Sequence, residues 1–304
     1  MKEYPMDLIE FEKMFNSEEQ CQKYLYDLRW TDGYKCPKCN RNTAWQLNEV
    51  KYKCRNCGYQ TSVIAGTIFQ DTHKPLTLWF RAIWYITSQK NGTSALGLQR
   101  VLGLGSYRTA WTWLHKLRRA MVRPGRDKLN GVVEVDETYI GGAGSGGKRG
   151  RGAENKILTL IAVEINGEKL GRIRIGIADD ASSKSLHSFI EDVVESGSTI
   201  ISDGWLGYKG IAEKGFIHII DTSDKDIDDG LLPHVHLVIS LLQRWLLGTL
   251  QSSYSREHIE YYYDEFTFRF NRRNSNSRGM LFYRLLQNAV QLQPVTYTDI
   301  VNAK

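Results

Sequence analysis

Four cysteines in the N-terminal third of the chain have the spacing of a metal site. They form two C-x2-C pairs, Cys36 with Cys39 and Cys54 with Cys57, separated by 14 residues. Two such pairs each hold one side of a tetrahedral ion, and short predicted strands around them form a hairpin that brings the pairs together. Because all four ligand positions are filled, the pattern predicts a structural zinc ribbon. A redox role for the pairs is the alternative.

A second candidate site lies in GVVEVDETYIGG, residues 131–142. Its β-branched and aromatic residues favour a strand, yet the run contains Glu134, Asp136 and Glu137. An ionised carboxylate inside a strand needs a partner, because removing it from water is costly. The segment alone leaves two interpretations open, an edge strand whose acids face water and a metal site at Asp136.

The elements that follow supply a partner for Asp136. Two strands, an amphipathic helix and a short buried strand are predicted at residues 156–165, 170–178, 182–196 and 199–204. Three strands in a meander, a helix and a parallel strand follow the order of the RNase H-like fold, a mixed α/β sheet flanked by helices. In such a sheet the first strand lies beside the end of the fourth, so Asp136 and Asp203 should be neighbours. A simple turn residue is the alternative for Asp203.

Paired acids on adjacent strands suit divalent ions. Two carboxylates a few ångströms apart repel unless a cation intervenes, and such ions promote phosphodiester chemistry. The predicted helix PHVHLVISLLQRWLLGT, residues 233–249, should supply a third ligand but contains no carboxylate. His236, 33 residues after Asp203, is therefore the candidate, and His234 is its main rival. An ordinary helix histidine is the alternative.

The charge distribution predicts a nucleic-acid partner. The net charge is +6, but residues 35–128 carry 17 Lys and Arg against 3 Asp and Glu, a local excess of +14. Within this block a short helix, a glycine turn at residues 103–105 and a basic helix at 107–122 have the helix-turn-helix layout. An ordinary helical hairpin is the alternative. The candidate DNA contacts of the basic helix are Arg108, Lys116, Arg118 and Arg119.

The organisation follows from these segments. We expect an N-terminal helical segment (1–34), a zinc ribbon (35–70), a helix-turn-helix-like region (71–128) and an RNase H-like catalytic domain (129–295). The sequence has no run of 18 apolar residues, and its first residues lack a secretory pattern. We therefore expect a cytosolic protein without a membrane partner.

The motifs together resemble a known family. The chain is similar to ISXO-like insertion-sequence transposases, which carry an N-terminal zinc ribbon and a DDE-type catalytic domain. The segments that carry the resemblance are CPKC, CRNC, AGTIF, VEVDETYIGG, GKRGRGAENK, SDGWLGY, LPHVHLVISLLQRWLLGT and EFTFRFNRRNSNSRGMLFYRLL. The resemblance implies a prokaryotic DNA transposase that uses Mg²⁺ or Mn²⁺. It also implies hydrolysis at the element's ends in double-stranded DNA, strand transfer into target DNA, and a homo-oligomer on the DNA.

Position by position, Asp136 and Asp203 match the first two metal-binding acids of that family, and the third falls on His236. Gln243 stands where a basic residue is usual, with Arg244 beside it. These two departures keep open a catalytically inactive or domesticated DNA-binding protein of the same fold. A structure-selective nuclease would use the same acids but would not need two DNA-binding modules. Further candidate DNA contacts are Lys148, Arg149, Arg151 and Arg244.

Overall fold

The computed structural model describes residues 3–48, 50–123, 125–141, 156–221, 231–251 and 254–302. The chain divides into two compact units, Met1–Arg123 with Ser275–Lys304, and Pro124–Asn274. Within the described ranges, no helix has both the length and the apolar character that crossing a membrane requires.

Two short helices open the first unit, α1 (Leu8–Met14) and α2 (Glu18–Arg29). A side-chain oxygen caps the start of each helix. Asp7 accepts a hydrogen bond from a backbone N–H of α1, and Ser17 accepts one from a backbone N–H of α2. The ribbon follows, with strands β1 (Ala44–Gln46), β2 (Lys51–Cys54) and β3 (Gln60–Ser62), antiparallel and adjacent in that order. This is the arrangement that the cysteine spacing predicts.

Three helices follow the ribbon, α3 (Leu76–Ser88), α4 (Ala95–Leu102) and α5 (Tyr107–Met121). Ser94 and Ser106 cap α4 and α5 through their hydroxyl oxygens. Gly103 ends α4 in the left-handed region with φ 61°, a conformation that glycine adopts without a Cβ penalty. The predicted order of helix, glycine turn and basic helix is therefore present.

The second unit is built on a five-stranded mixed sheet with strand order β6-β5-β4-β7-β8. Its strands are β4 (Val132–Ile140), β5 (Ile157–Asn166), β6 (Lys169–Ala178), β7 (Thr199–Ser202) and β8 (Ile217–Ile220). β4, β5 and β6 form an antiparallel meander, whereas β7 runs parallel to β4 and β8 runs parallel to β7. The predicted mixed sheet of the RNase H-like order is confirmed, and β8 extends it by one strand that the sequence analysis did not predict.

Helices cover both faces of this sheet: α6 (Ser183–Val193), α7 (Pro233–Leu250) and α8 (Ile259–Phe270). Short 3-10 turns cover Leu206–Tyr208 and Ile211–Lys214. Val133 and Val135 pack with α6 in one hydrophobic cluster, and α7 and α8 pack in a separate cluster on the other face. Because successive side chains of a strand point to opposite faces, Glu134 and Asp136 lie on the α7 side of β4.

The last helices, α9 (Arg278–Ala289) and α10 (Tyr297–Val301), belong to the first unit. The fully buried Phe282 of α9 packs against Phe11, Phe80 and Trp84. Gly279 lies so close to the N-terminal segment that a Cβ there would be 1.6 Å from the Pro5 carbonyl oxygen. Residues 275–295, which the sequence analysis assigned to the catalytic segment, therefore pack with the N-terminal elements.

Candidate active site and metal centres

The four ribbon cysteines converge on one point. Their sulfur atoms all lie within 4.8 Å of one another, with Cys36 Sγ 3.7 Å from Cys57 Sγ and Cys39 Sγ 3.5 Å from Cys54 Sγ. Four Zn–S bonds of about 2.3 Å at tetrahedral angles would place the sulfur atoms about 3.8 Å apart. The observed spacing therefore fits a single four-coordinate zinc ion with no open position.

Asp136 lies near the middle of β4, with its side chain only 14% exposed. One carboxylate oxygen, Oδ2, is 3.2 Å from Nε2 of His236 in the first turn of α7. Burial and the charges of Glu137 and Asp203 raise the pKa of Asp136 to about 6, although His236 opposes the shift. Burial and the two neighbouring carboxylates therefore disfavour the ionised form of Asp136 in the absence of a cation.

Asp203 reaches the site through the parallel pairing of β7 with β4. Glu134 is in register with Ile201, and Asp136 and Asp203 each follow two residues further along the chain. The charge of Asp203 acts on the Asp136 carboxyl and raises its pKa. Asp203 follows the last residue of β7, and its Oδ1 accepts a hydrogen bond of 3.0 Å from the Trp205 backbone N–H. This local turn fixes the direction of the carboxylate.

The two histidines of α7 contact different carboxylates. His236 faces Asp136, while Nδ1 of His234 lies 2.7 Å from Oε1 of Glu134, a buried residue that is 4% exposed. Of the two candidates for the third ligand, His236 is thus the one in contact with Asp136. The sequence did not reveal the contacts of Glu134, although its position two residues before Asp136 placed both acids on one face of a strand.

Glu137 and Tyr208 form a further pair that the motifs did not reveal. The Tyr208 hydroxyl donates a hydrogen bond of 2.8 Å to Oε2 of Glu137. Burial and the charge of Glu137 hold the pKa of Tyr208 well above its usual value, and the charges of Asp136 and Asp203 add to the effect. The phenol therefore stays protonated and donates to Glu137.

Among the described residues, the four cysteines form a tight group of ligating side chains, with all donor atoms within 4.8 Å of one another. Asp136, Asp203 and His236 do not form such a tight group. Their donor set, two carboxylates and one imidazole, nevertheless fits a divalent cation, with imidazole suited better to Mn²⁺ than to Mg²⁺.

Comparison with protein families decides the class. The family model described as ISXO2-like transposase domain matches residues 128–271, and the transposase zinc-ribbon domain matches residues 16–60. The chain carries an ISXO2-like transposase domain and a transposase zinc-ribbon domain. The cysteine ribbon and the sheet with Asp136 therefore lie in the two segments that the family models match, as the resemblance predicted.

Two individual proteins add to this comparison. An "uncharacterized protein in transposable element ISH50" from Halobacterium salinarum is 26% identical over 220 residues, which cover 66% of this chain and 72% of that protein. A solved structure, the simian T-cell lymphotropic virus intasome in complex with PP2A regulatory subunit B56 gamma, matches with a TM-score of 0.32 and 12% identity. That match covers 61% of this chain and 70% of the viral chain.

The predicted DNA contacts of this transposase-family chain have different exposures. The prediction that Arg118 contacts DNA is corrected, because this side chain is only 2% exposed and lies in the core of the first unit. Lys116 is half-buried, donates a hydrogen bond of 3.3 Å to the Ile68 carbonyl, and has its pKa lowered by burial. The physical reason is that α5 packs against both α4 and α9, which leaves little of its circumference in contact with water.

The remaining candidates lie nearer the surface or outside the described residues. Arg108 is exposed, and its guanidinium carbon lies 3.7 Å from the Tyr297 ring centroid, whereas Arg119 is half-buried. Arg244 and its neighbour Gln243 are exposed on α7. Lys148, Arg149 and Arg151 lie outside the described residues.

Proposed function

We propose that this chain is a DDE-type transposase that binds insertion-sequence ends, hydrolyses phosphodiester bonds there and joins the freed 3′ end to target DNA. In the joining step the 3′-hydroxyl attacks a target phosphodiester, and the target's own 3′-hydroxyl leaves. The observation that supports the proposal is the position of Asp136 on β4 and of Asp203 directly after β7, the strand that runs parallel beside β4. This pair lies inside the stretch that the transposase-domain model matches. His236 lies 3.2 Å from Asp136 and completes the candidate site.

Asp136, Asp203 and His236 would hold Mg²⁺ or Mn²⁺. When bound, such ions activate the attacking oxygen and stabilise the leaving oxygen of a phosphodiester. The electrostatics support this assignment, because burial and the carboxylates of Glu137 and Asp203 raise the pKa of Asp136 despite the opposing effects of His236 and a backbone hydrogen bond. A divalent cation would stabilise the ionised carboxylate in this surrounding.

The surrounding groups hold the donors in place. The backbone N–H of Trp205 orients the Asp203 carboxylate, and the Tyr208 hydroxyl occupies an oxygen of Glu137. The first turn of α7 brings the His236 imidazole to Asp136. Trp205 thus orients Asp203, and Asp136 and His236 orient each other, which supports a site preorganised for a substrate phosphate.

DNA binding is proposed for surfaces in both units. Arg108 at the start of α5 and Arg244 on α7 are exposed, and we keep Lys148, Arg149 and Arg151 as further candidates. On the ribbon, Trp45 is 50% exposed. Two cations lie beside it: Lys53 is its partner in register, and the Arg55 guanidinium is 5.5 Å from its ring centroid. Such cations can bind the phosphate backbone of DNA while the exposed ring stacks on an adjacent base. We further propose that the protein acts in the cytosol as a homo-oligomer on DNA.

A second candidate is a DNA-binding protein of the same fold that no longer cuts. His236 in place of a carboxylate favours it, since imidazole is a poorer ligand for Mg²⁺. Gln243, which is exposed on α7 where the family usually has a basic residue, points the same way.

Cleavage of DNA that carries the element's ends separates the two candidates. We expect nicking at the ends with Mg²⁺ or Mn²⁺, and we expect Asp136→Asn to lower its rate by about a thousandfold. That estimate follows because a metal ion supplies several kcal/mol of transition-state stabilisation and about 1.4 kcal/mol corresponds to a factor of ten. DNA binding should persist in the variant.

Asp192→Asn is the matched control, because Asp192 is an exposed carboxylate on α6. It should cut at the wild-type rate. Wild-type protein that binds the ends but never cuts them with either metal would support the inactive DNA-binding protein instead.

A further inference from the structure

Glu134 is a buried carboxylate with two partners on a single helix. It lies on β4, is 4% exposed, and belongs to the same face of the strand as Asp136. Its Oε2 accepts a hydrogen bond of 2.8 Å from the Val235 backbone N–H, and its Oε1 is 2.7 Å from Nδ1 of His234. Both partners are in the first turn of α7.

The start of α7 has no side-chain cap of its own. Its N-cap residue is Leu232, which has φ 52° and ψ 59° and makes no side-chain hydrogen bond, and Pro233 follows. A non-glycine residue in the left-handed region is strained by roughly 1–3 kcal/mol. Leucine cannot accept a hydrogen bond from the free N–H groups of the first turn, as Ser, Thr, Asp or Asn would.

Glu134 replaces the missing cap from a strand about a hundred positions earlier in the chain. A carboxylate at a helix N-terminus also interacts favourably with the helix dipole. Since buried acceptors are costly to leave without donors, the position of α7 over β4 is tied to this contact.

The contact fixes the place of the candidate third ligand. Glu134 and Asp136 are two residues apart on β4, about 6.5–7 Å along the strand. The partners of Glu134 are the two residues immediately before His236, and His236 contacts Asp136. We infer that Glu134 is a positioning residue, which docks the first turn of α7 on β4 and thereby sets the His236 imidazole against Asp136. The relevance of this to catalysis rests on the proposed function.

A purely structural role would make Glu134 equivalent to other buried carboxylates of the same sheet. Glu164 on β5 offers the matched control, because it is also 4% exposed and accepts hydrogen bonds from Arg172 and from the Asn130 backbone N–H. Removing either carboxylate leaves hydrogen-bond donors without an acceptor, so both variants should lower stability. Only loss of Glu134 should disturb His236.

The test uses the full chain with Glu134→Ala, Glu134→Gln and Glu164→Ala. The first readout is the NMR signal of the His236 imidazole in histidine-labelled protein without metal, assigned through the loss of one signal in His236→Ala. We expect Glu134→Ala to shift this signal and Glu164→Ala to leave it in place. Glu134→Gln should lie close to wild type, since its amide oxygen can still accept from Val235 and its size is conserved.

The second readout is binding of Mn²⁺ alone, measured by electron paramagnetic resonance. Glu134→Ala should bind Mn²⁺ about 10–100-fold more weakly, the usual effect of losing a group that orients a ligand. Folded Glu134→Ala protein whose His236 signal stays at the wild-type position would overturn the inference. If Glu134→Ala shifts the His236 signal but the wild-type protein binds no Mn²⁺, the positioning role of Glu134 is supported. The same result would count against the proposed function.

Discussion

At the residue scale, the side chain of His236 decides which metal ion the candidate site can hold. Asp136 and Asp203 are carboxylates, the donors that Mg²⁺ prefers, but the group that contacts Asp136 from α7 is an imidazole. Imidazole is a softer donor that suits Mn²⁺ better. The identity of this one side chain should therefore govern which metal supports the reaction.

Replacing His236 tests that argument. We expect His236→Ala to slow Mn²⁺-dependent cleavage about 10–100-fold, in line with the loss of a group that supports a metal site. His236→Glu should restore cleavage and shift the preference toward Mg²⁺, because a carboxylate is a harder donor. The measurement is the initial rate of nicking at several concentrations of each metal.

His73→Ala serves as the control, because His73 is an exposed histidine in the other unit. It should cleave as wild type does with both metals. Undiminished cleavage by His236→Ala would remove His236 from the site.

The sequence could predict much of this site at the residue scale. The order of strands predicted Asp203 near Asp136, and the structure has β7, which ends just before Asp203, parallel to and beside β4. Arg118 shows the limit: a basic residue on a predicted recognition helix was assigned to DNA, yet it is buried. Helical periodicity shows which residues share a face, but it does not show how many neighbouring helices cover the other faces. Glu134 was visible as an acid in the strand, but its partners lie about a hundred residues away.

At the scale of elements, the zinc ribbon depends on its metal more than on its core. Its strands are three to four residues long, and only Thr61 and Cys54 within them are buried. Tyr52 contributes by packing against Trp30 and Tyr34 beside the ribbon. This small apolar burial cannot offset the conformational entropy that is lost when the loops are ordered. The bound metal ion must therefore supply the remaining free energy of folding.

Removing one zinc ligand should therefore unfold the ribbon and little else. We expect Cys57→Ser protein to lose its zinc, measured by elemental analysis after purification. Limited proteolysis should then cut within residues 35–62 while the β4–β8 sheet, which lies in the other unit, resists. Specific binding to DNA ends should weaken if the ribbon contributes contacts through Trp45 and Lys53.

Cys21→Ala provides the control for this experiment. Cys21 is fully buried on α2 and is not part of the four-cysteine cluster, so the variant should keep its zinc. Cys57→Ser protein with a full complement of zinc would contradict the assignment of the four ligands.

At the scale of the whole molecule, the chain closes its first unit with its own C-terminal residues. The sequence placed the boundary of the catalytic segment at residue 295, whereas the structure packs Ser275–Lys304 with Met1–Arg123. α9 is amphipathic, but amphipathicity does not identify the surface on which a helix packs. In the structure α9 packs with α3 and the N-terminal segment.

This packing predicts that a single change in α9 weakens the distant N-terminal elements. Phe282 is fully buried among Phe11, Phe80 and Trp84, so Phe282→Ala leaves a cavity between α9 and the helices α1 and α3 near the start of the chain. A buried Phe→Ala change costs about 3–5 kcal/mol. Hydrogen exchange in the full chain should show faster opening of α1 and α3, with β4 and β5 protected as in wild type.

Arg284→Ala, an exposed position on the same helix, should leave both units unchanged. Equal loss of protection in both units would instead show that they unfold as one cooperative body, and unaltered protection of α3 would show that α9 does not stabilise the N-terminal elements.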